Sequence, residues 1–423
     1  MHTTAFLALL ASIPSGPRGD WPQYHGIASD RVSHETVALR EFPSSGPPRA
    51  WKVALGGGFS SFTEQGGVAY TLVGEKDGGE LGEVLVALDA ASGKKLWSAT
   101  LGRGECDGGA EAGADGNQGG DGPRTTPSVV DGRVYALDAQ LGLFCFEAAS
   151  GKELWKHALV TEFNGRLIRW QNAASPLVEG ELVFVAGGGA EQSLLAFERK
   201  TGALAWARGD EQMTHATPIA ATLLGRRQVI FFVQSGLISV DPASGAELWR
   251  TEFPYRTSSA ASPIVSGDIV YCSAGYGVGA AAWRIKQEAD TLVPELLWRA
   301  ANKLINHWST PVVRDGHLYG MFSFKEYGSG PLKCVELASG AERWAKEGFG
   351  PGNCILVGDT LVALSDAGEL VLVEPEPDAY RELARADVLD GKCWSMPAFS
   401  DGALYLRSTK EGVRLDLSAA AAR

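Results

Sequence analysis

Residues 87–97 read Ala87-Leu88-Asp89-Ala90-Ala91-Ser92-Gly93-Lys94-Lys95-Leu96-Trp97, and this stretch decides the fold. An apolar strand ends here and passes through an acidic residue into a Ser-Gly pair. Asp and Ser side chains accept hydrogen bonds from turn amides, and glycine tolerates a positive φ, so the pattern predicts a tight turn between two strands. The tryptophan early in the second strand is large enough to fill the space between two neighbouring sheets.

Two repeated patterns run along the whole chain. The first is the strand, turn and tryptophan just described, and its other copies end at Trp155, Trp206, Trp249, Trp298, Trp344 and residues 380–383. The second is a short strand that opens with Ser/Thr/Ala-x-Pro and turns through glycine into another strand. Its copies contain Pro127, Pro176, Pro218, Pro263, Pro311 and Pro397, and two degenerate copies begin at Ser60 and Asn353. Together the patterns supply the four strands of a propeller blade, so the chain predicts an all-β fold, a single eight-bladed β-propeller of four-stranded antiparallel blades.

The two ends of the chain indicate how this ring closes. Residues 50–55, which include Trp51, form an outer strand that comes before the first inner strand. The last repeat has strands at 395–400, 403–407 and 412–417 and lacks the outer strand that the N-terminal part has in surplus. We expect the N-terminal strand to pair into the last blade, which also removes two exposed sheet edges.

Charge and cysteine usage restrict the possible partners. The formal charge is −12 and no Lys/Arg cluster offsets it, which argues against a nucleic-acid partner. The six cysteines form no CxxC pair and have no histidine at zinc-ligand spacing, so we expect no metal site. Cys354 and Cys393 could form a disulfide if the chain is exported.

The N-terminus resembles a short signal peptide, with an apolar run from Ala5 to Ala11 but no basic residue before it and no clean cleavage site. A disordered tail and a misassigned start codon are the alternatives. No other stretch approaches the ~20 apolar residues of a membrane span. We therefore divide the chain into a possible signal peptide (1–19), an N-terminal extension (20–49), the propeller (50–418) and a tail (419–423). We expect an exported monomer in the periplasm or cell envelope.

The turn-and-tryptophan stretch at Asp89, Ser92, Gly93 and Trp97 resembles the tryptophan-docking motif of the PQQ-like quinoprotein repeat family. The resemblance covers almost the whole chain, and the opening residues 20–26 are similar to those of exported PQQ-binding-like propeller proteins of Planctomycetes-type bacteria. It implies two opposite functions. Quinoprotein dehydrogenases bind PQQ and Ca²⁺ and oxidise alcohols or sugars, whereas the assembly factor BamB and its relatives bind polypeptide without a cofactor. The motif is specific for the fold and poorly specific for activity.

Residues just ahead of each inner strand ring the mouth of a propeller's central channel, where ligands usually bind. This rule selects a polar, aromatic and locally cationic set of ligand-binding candidates, consisting of Arg124, Arg169, Trp170, Gln171, Asn172, His215, Arg256, Asn306, His307, Trp308, Asn353 and Trp394. Tyr276 and Lys325 follow second strands and could reach the same face. Arginine suits carboxylate or phosphate, and tryptophan offers a stacking surface. The alternative is that these side chains only satisfy one another and the loop backbone.

No residue of the chain is predicted to be catalytic. His215 and His307 could act as general bases, but neither has a nucleophile or an orienting carboxylate nearby in the sequence. The Gly-rich insertion 102–122 carries acidic residues without the spacing of a calcium loop, and we expect it to be a solvated loop over the channel face.

We therefore expect a non-catalytic binding scaffold that presents the channel mouth to a protein, a peptide or a small anionic ligand. The alternative is an oxidoreductase that uses PQQ and Ca²⁺, although no adjacent cysteine pair and no convincing calcium ligands are found. A sugar-binding or lyase-type propeller is a third possibility, which no paired carboxylates support.

Overall fold

A computed structural model describes residues 19–106, 109, 112 and 119–418. The proposed signal peptide, apart from Gly19, and the tail 419–423 lie outside the described residues. Two strands precede the first complete blade, β1 (Val32–Ser33) and β2 (Arg49–Ala54). The next 28 strands form seven sheets of four consecutive strands, and the last three strands form an eighth sheet together with β2. Among the described residues there is one short helix, α1 (Leu159–Glu162), after the second blade.

Blade 1 consists of β3 (Thr63–Gln65), β4 (Val68–Asp77), β5 (Glu80–Asp89) and β6 (Lys95–Arg103), and blade 2 of β7 (Ser128–Val130), β8 (Arg133–Leu137), β9 (Gly142–Glu147) and β10 (Glu153–Ala158). Blade 3 consists of β11 (Leu177–Glu179), β12 (Leu182–Ala186), β13 (Leu194–Glu198) and β14 (Leu204–Arg208), and blade 4 of β15 (Ile219–Leu223), β16 (Arg226–Val233), β17 (Gly236–Val240) and β18 (Glu247–Arg250). Within each blade, consecutive strands pair antiparallel, and the first strand lies at the channel.

Blade 5 consists of β19 (Ile264–Ser266), β20 (Ile269–Ala274), β21 (Gly279–Glu288) and β22 (Thr291–Ala300), and blade 6 of β23 (Val312–Arg314), β24 (His317–Met321), β25 (Leu332–Glu336) and β26 (Glu342–Lys346). Blade 7 consists of β27 (Asn353–Val357), β28 (Thr360–Leu364), β29 (Glu369–Glu374) and β30 (Arg381–Asp387). Blade 8 consists of β31 (Ala398–Ser400), β32 (Ala403–Arg407) and β33 (Glu411–Asp416), with β2 as its fourth strand. The predicted all-β fold of eight four-stranded antiparallel blades is confirmed.

The ring closes through blade 8, as the sequence predicted. Strand β2 pairs antiparallel with β33, and Trp51 lies opposite Arg414. The guanidinium of Arg407 is fully buried behind this joint and donates to Thr71 Oγ1 at 2.8 Å and to the Leu72 carbonyl at 2.6 Å. The side chain therefore links the last blade to the first without a carboxylate, and burial lowers the pKa of Arg407 to about 9.

Tryptophan side chains join neighbouring blades on the outside of the ring. The Trp51 indole of blade 8 donates to the Ala90 carbonyl in the turn of blade 1 at 2.9 Å, and Trp97 of blade 1 donates to Ala148 of blade 2 at 2.9 Å. The same bond recurs with Trp155, Trp206, Trp298 and Trp344 as donors to the following blade. Trp249 differs, because its indole bonds Gln228 within its own blade.

Hydroxyl groups join the inner strands in the same direction around the channel. The amide of Ser61 donates to Thr126 Oγ1 at 2.9 Å, and the amide of Thr126 donates to Ser175 Oγ at 2.8 Å. The amide of Met396 in blade 8 donates to Ser61 Oγ at 2.8 Å, so this inner series also passes through the joint between the chain ends. The hydroxyl oxygen of the Ser/Thr that precedes proline in the repeat thus accepts a hydrogen bond from a backbone amide of the blade before it.

The N-terminal extension crosses the end of the channel opposite the mouth. Trp21 exchanges two backbone hydrogen bonds with Glu64 of blade 1, at 3.0 and 2.9 Å. His25 Nε2 lies 2.8 Å from Ser262 Oγ of blade 5, and the buried Arg31 donates to the Pro311 carbonyl of blade 6 at 3.0 Å. Immediately afterwards, β1 adds to blade 7 as a fifth, parallel strand. The sequence patterns did not predict that this extension would contact the blades so widely.

Two further expectations concern cysteines and membranes. All six cysteines are buried free thiols, so the possible Cys354–Cys393 disulfide is not formed. None of the helices in the described part of the chain is long and apolar enough to cross a membrane.

Gly93 provides a test of the docking between blades. Its φ is +71°, and a Cβ at this position would lie 2.9 Å from the Trp51 ring. Gly132 has φ +72° and open space around the same position, so Gly132→Ala is a matched control for backbone strain alone. We expect Gly93→Ala to lower the free energy of unfolding by about 1–3 kcal/mol more than Gly132→Ala, because the added methyl displaces the indole. If urea denaturation showed the same loss in free energy of unfolding for Gly93→Ala and Gly132→Ala, the contact between Gly93 and Trp51 would not contribute to stability as proposed.

Candidate functional site

A cavity of about 320 Å³ opens at the mouth of the channel. The loops that precede the inner strands form most of its wall, and Tyr24 of the N-terminal extension contributes from the opposite end of the channel. Its described lining consists of Tyr24, Phe59, Cys106, Gly109, Gly119, Gly120, Arg124, Trp170, Ala173, His215, Thr217, Ser258, Ala260, Tyr276, His307, Trp308, Lys325, Tyr327 and Trp394.

Flat rings cover one side of this cavity. Trp394 stacks on Phe59 at 5.1 Å between ring centroids and on Tyr327 at 5.8 Å, and its ring is 4.5 Å from that of Trp308. The Trp308 indole donates to the Pro351 carbonyl at 2.9 Å, which fixes its ring. The wall is therefore a continuous, held aromatic surface onto which a flat ligand could stack.

A second aromatic wall is formed by Trp170 and Tyr276, whose rings stack at 6.3 Å with 17° between their planes. Trp170, Gln171 and Tyr276 all adopt a positive φ, at +65°, +55° and +55°. Such left-handed backbone in bulky residues costs on the order of 1–3 kcal/mol each and clusters at functional sites. The strain is a reason to assign a function to this part of the mouth.

Positive charge dominates the cavity. Arg124 and Lys325 line it, and no described lining residue carries a carboxylate. The Lys325 ammonium lies 5.3 Å from the Tyr276 ring centroid, and Lys392 lies 4.6 Å from that of Trp394. Arg124 donates to the Trp170 carbonyl at 3.1 Å, so its charge is positioned without being neutralised by an acid in the lining.

His215 and His307 are neutral in this environment. Burial, with the charge of Arg124, lowers the pKa of His215 to about 4. Burial, with the repulsion that would arise if both histidines were protonated and with the charge of Lys325, lowers the pKa of His307 to about 3. His215 Nδ1 lies 2.9 Å from Ser258 Oγ, and its Nε2 lies 3.0 Å from the Arg169 carbonyl. His307 Nδ1 faces Gly275, where a Cβ would come within 2.7 Å of it.

The structure places half of the sequence-predicted candidates on the cavity. Arg124, Trp170, His215, His307, Trp308 and Trp394 line it, whereas Arg169, Gln171, Asn172, Arg256, Asn306 and Asn353 do not. The three asparagines are buried and hold loops together. Asn172 donates to the Asp138 and Ala174 carbonyls, Asn306 to Met321, and Asn353 to Trp394. These contacts agree with the alternative interpretation, in which the polar side chains only provide hydrogen bonds to carbonyl groups of the loop backbone.

The remaining three candidates do not line the cavity. Arg169 covers the Trp170 ring with its guanidinium 4.4 Å from the centroid, Gln171 is buried, and Arg256 is exposed. The sequence missed Tyr24, Phe59, Tyr327 and Ser258 as lining residues. Phe59 and Ser258 precede inner strands like the chosen residues, so the same rule could have found them. From the insertion 102–122, the described residues Cys106, Gly109, Gly119 and Gly120 reach the cavity wall. Asp107, Glu111, Asp115 and Asn117 lie outside the described residues.

A pair of buried carboxyl groups lies behind Arg124. Glu83 Oε2 accepts the Ala139 amide at 3.0 Å, and Asp138 Oδ1 accepts the amides of Gln140 and Gly142. Burial, with repulsion from Asp138, raises the pKa of Glu83 to about 8, and burial raises the pKa of Asp138 to about 6. Glu83 is therefore largely protonated at neutral pH.

The cavity does not fit a calcium ion. Hard cations take several carboxylate or carbonyl oxygens, and the lining offers Arg124 and Lys325 instead of carboxylates. In the described part of the chain, no three His, Cys, Asp or Glu side chains are grouped to hold a metal. The flat walls and cations do suit a flat anion such as a quinone carboxylate.

Comparison with known proteins gives a family and a fold. A profile of the family described as outer membrane protein assembly factor BamB matches residues 81–346, more than half of the chain. One curated relative is the outer membrane protein assembly factor BamB of Moranella endobia (strain PCIT), 23% identical over 260 residues. The alignment covers 58% of this chain and 63% of that protein, less than two thirds of its length.

Solved structures with the same fold include alcohol dehydrogenases. The quinohemoprotein alcohol dehydrogenase from Comamonas testosteroni is 14% identical, with a TM-score of 0.64 over 94% of this chain and 80% of that one. The quinohemoprotein alcohol dehydrogenase ADHIIG from Pseudomonas putida HK5 is 13% identical, with a TM-score of 0.62 over 96% and 83%. At such low identity the likeness establishes the fold alone.

The buried acid Glu83 predicts a pH dependence of stability. The folded chain keeps this proton up to about pH 8, whereas an unfolded glutamate loses it near 4.5, so stability falls as pH rises through that window. When the folded and unfolded chains differ by one bound proton, the free energy of unfolding falls by about 1.4 kcal/mol per pH unit. We expect Glu83→Gln to flatten this decline in urea denaturation between pH 6 and 9, while Glu75→Gln, at an exposed position of the same hairpin, keeps it. A decline that persists unchanged in Glu83→Gln would contradict the assignment.

Proposed function

Because the chain belongs to the family described as outer membrane protein assembly factor BamB, we propose that it is a binding scaffold whose channel mouth holds an anionic ligand. The observation that carries the proposal is the cavity, whose described lining combines aromatic walls with Arg124 and Lys325 and contains no carboxylate. Such a lining attracts a negative group and stacks against a flat body. This positive lining stands on a chain whose formal charge is −12.

The chemistry shared by candidate ligands is a carboxylate next to a flat or apolar group. A small aromatic acid has this chemistry, and so does the C-terminal residue of a peptide or of a partner protein. The cavity volume of about 320 Å³ accepts one such group and not a folded segment. The family's name supports a protein partner and a place in the cell envelope, and both belong to the proposal.

The alternative function is oxidation of an alcohol or sugar with PQQ. The fold shared with two alcohol dehydrogenases favours it, and the flat cationic cavity suits the carboxylates of the quinone. The absence of calcium ligands among the described lining residues speaks against it, because the residues present supply no oxygen cage for the ion.

Calorimetric titration tests the anion-binding proposal. We expect 2-naphthoate to bind and its neutral amide to bind at least about tenfold more weakly, because Arg124 and Lys325 attract only the carboxylate. N-acetyltryptophan and its amide form the parallel peptide-like pair and show which source of carboxylate is preferred. Lys325→Met should weaken naphthoate binding about five- to tenfold, whereas Lys94→Met, at an exposed turn on the outer face, should leave it unchanged.

Two outcomes would overturn the proposal. Equal affinity for the acids and their amides would remove the role of the cations. Dye-linked alcohol oxidation after addition of PQQ and Ca²⁺ would replace the binding scaffold by the oxidoreductase.

A further inference from the structure

Ser258 and His215 form a hydroxyl–imidazole pair in the wall of the cavity. Ser258 lies in the loop before β19 and His215 in the loop before β15, and the distance from Ser258 Oγ to His215 Nδ1 is 2.9 Å. The His215 amide donates to the Ser259 carbonyl at 2.9 Å, which holds the two loops together. Both side chains are about 5% exposed and both line the cavity.

The hydrogen bonds determine which atom carries each proton. His215 Nε2 lies 3.0 Å from the Arg169 carbonyl oxygen, which can only accept, so Nε2 carries the imidazole proton. Nδ1 is then unprotonated, and the Ser258 hydroxyl donates to it. The result is a nucleophile, a base and a group that orients the base, the arrangement found in serine hydrolases.

The surroundings keep this pair in its reactive protonation state. His215 is neutral at pH 7, because burial and the charge of Arg124 hold its pKa at about 4. Arg124 disfavours the imidazolium, but its positive charge in the same cavity favours negative charge on a bound substrate. The Arg169 carbonyl occupies the place that a carboxylate has in serine hydrolases. It fixes the tautomer of His215 but does not stabilise the imidazolium, so we expect only esters with good leaving groups to react.

We propose that Ser258 is the nucleophile of a slow esterase activity toward small activated esters that fit the aromatic cavity. Ser258 Oγ attacks the ester carbonyl carbon and its proton passes to His215 Nδ1. The carbon–oxygen bond to the leaving alcohol breaks, that alcohol takes the proton, and an acyl-Ser258 ester remains. Water then attacks this ester, His215 takes and returns the proton, and the acid and free Ser258 are released.

A fluorophosphonate probe tests the nucleophile directly, since Ser258 Oγ would displace fluoride from phosphorus and form a stable adduct. Intact-mass and peptide mass spectrometry on the full chain should show one adduct, located at Ser258. Ser258→Ala should abolish it. The control Ser259→Ala should leave it unchanged, because Ser259 Oγ donates to the Ser273 carbonyl at 3.1 Å and is not placed next to a histidine nitrogen.

The base is tested with His215→Gln, in which the side-chain amide can still donate to the Arg169 carbonyl while the Nδ1 acceptor is lost. We expect adduct formation and p-nitrophenyl acetate hydrolysis to slow about 10²-fold. Melting curves establish that each variant is folded. If His215→Gln does not fold, the wild-type adduct and its loss in folded Ser258→Ala remain decisive.

No adduct at Ser258 in the folded wild-type chain, or an adduct that forms at the same rate in folded His215→Gln, overturns the esterase. Naphthoate titration of the same samples is independent of this result, because anion binding requires Arg124 and Lys325 and not the Ser258 hydroxyl. A chain that binds naphthoate but is not labelled would therefore disprove the esterase alone.

Discussion

The fold depends on one repeated contact, the docking of a tryptophan from the outer strand of one blade onto the turn of the next, which is made at six of the eight junctions between blades. Gly93 combines a left-handed φ of +71° with a closest approach that leaves no room for a Cβ beside Trp51. The indole N–H also donates to the Ala90 carbonyl. The close packing of the ring on Gly93 and this hydrogen bond therefore set the same spacing between the two blades. Because the contact repeats around the ring, small errors in spacing would accumulate, and closure requires each copy to hold nearly the same geometry.

The spacing between blades also positions the mouth of the channel, because the loops that precede the inner strands are hydrogen-bonded to the corresponding loops of neighbouring blades. The amides of Ala260 and Ala261 donate to the His307 carbonyl at 2.9 and 2.7 Å, and Asn353 donates to the Trp394 carbonyl at 2.7 Å. These bonds hold the aromatic and histidine rings in place before any ligand arrives. A ligand that meets such a preformed wall loses less free energy to ordering of the protein.

The blades could be predicted from the sequence because their turns and tryptophans repeat, and a repeated local pattern fixes the strand count and the closure. The N-terminal extension could not, since Trp21, His25 and Arg31 contact blades far away in sequence and show no strand periodicity.

In the site, position ahead of an inner strand predicted where a residue lies but not where its side chain points. Asn306 and Trp308 come from the same loop, yet Asn306 turns inward to Met321 and Trp308 faces the cavity. The pairing of His215 with Ser258 was also out of reach, because the two are 43 residues apart and meet only across two blades.

The composition of blade 8 has a consequence for biosynthesis. Its outer strand β2 leaves the ribosome before every strand of blades 1 to 7, whereas β31, β32 and β33 leave it after them. Until β33 has been synthesised, β2 has no partner, and the Trp51 ring can reach blade 1 only from an unpaired strand. Closing a loop of this length is slow, and an open arc with free sheet edges is vulnerable to proteolysis and aggregation in the meantime. The demand for chaperones should therefore persist until β33 has been synthesised, and a chain that lost the hairpin of β32 and β33 would remain an open arc however well its other seven blades had formed.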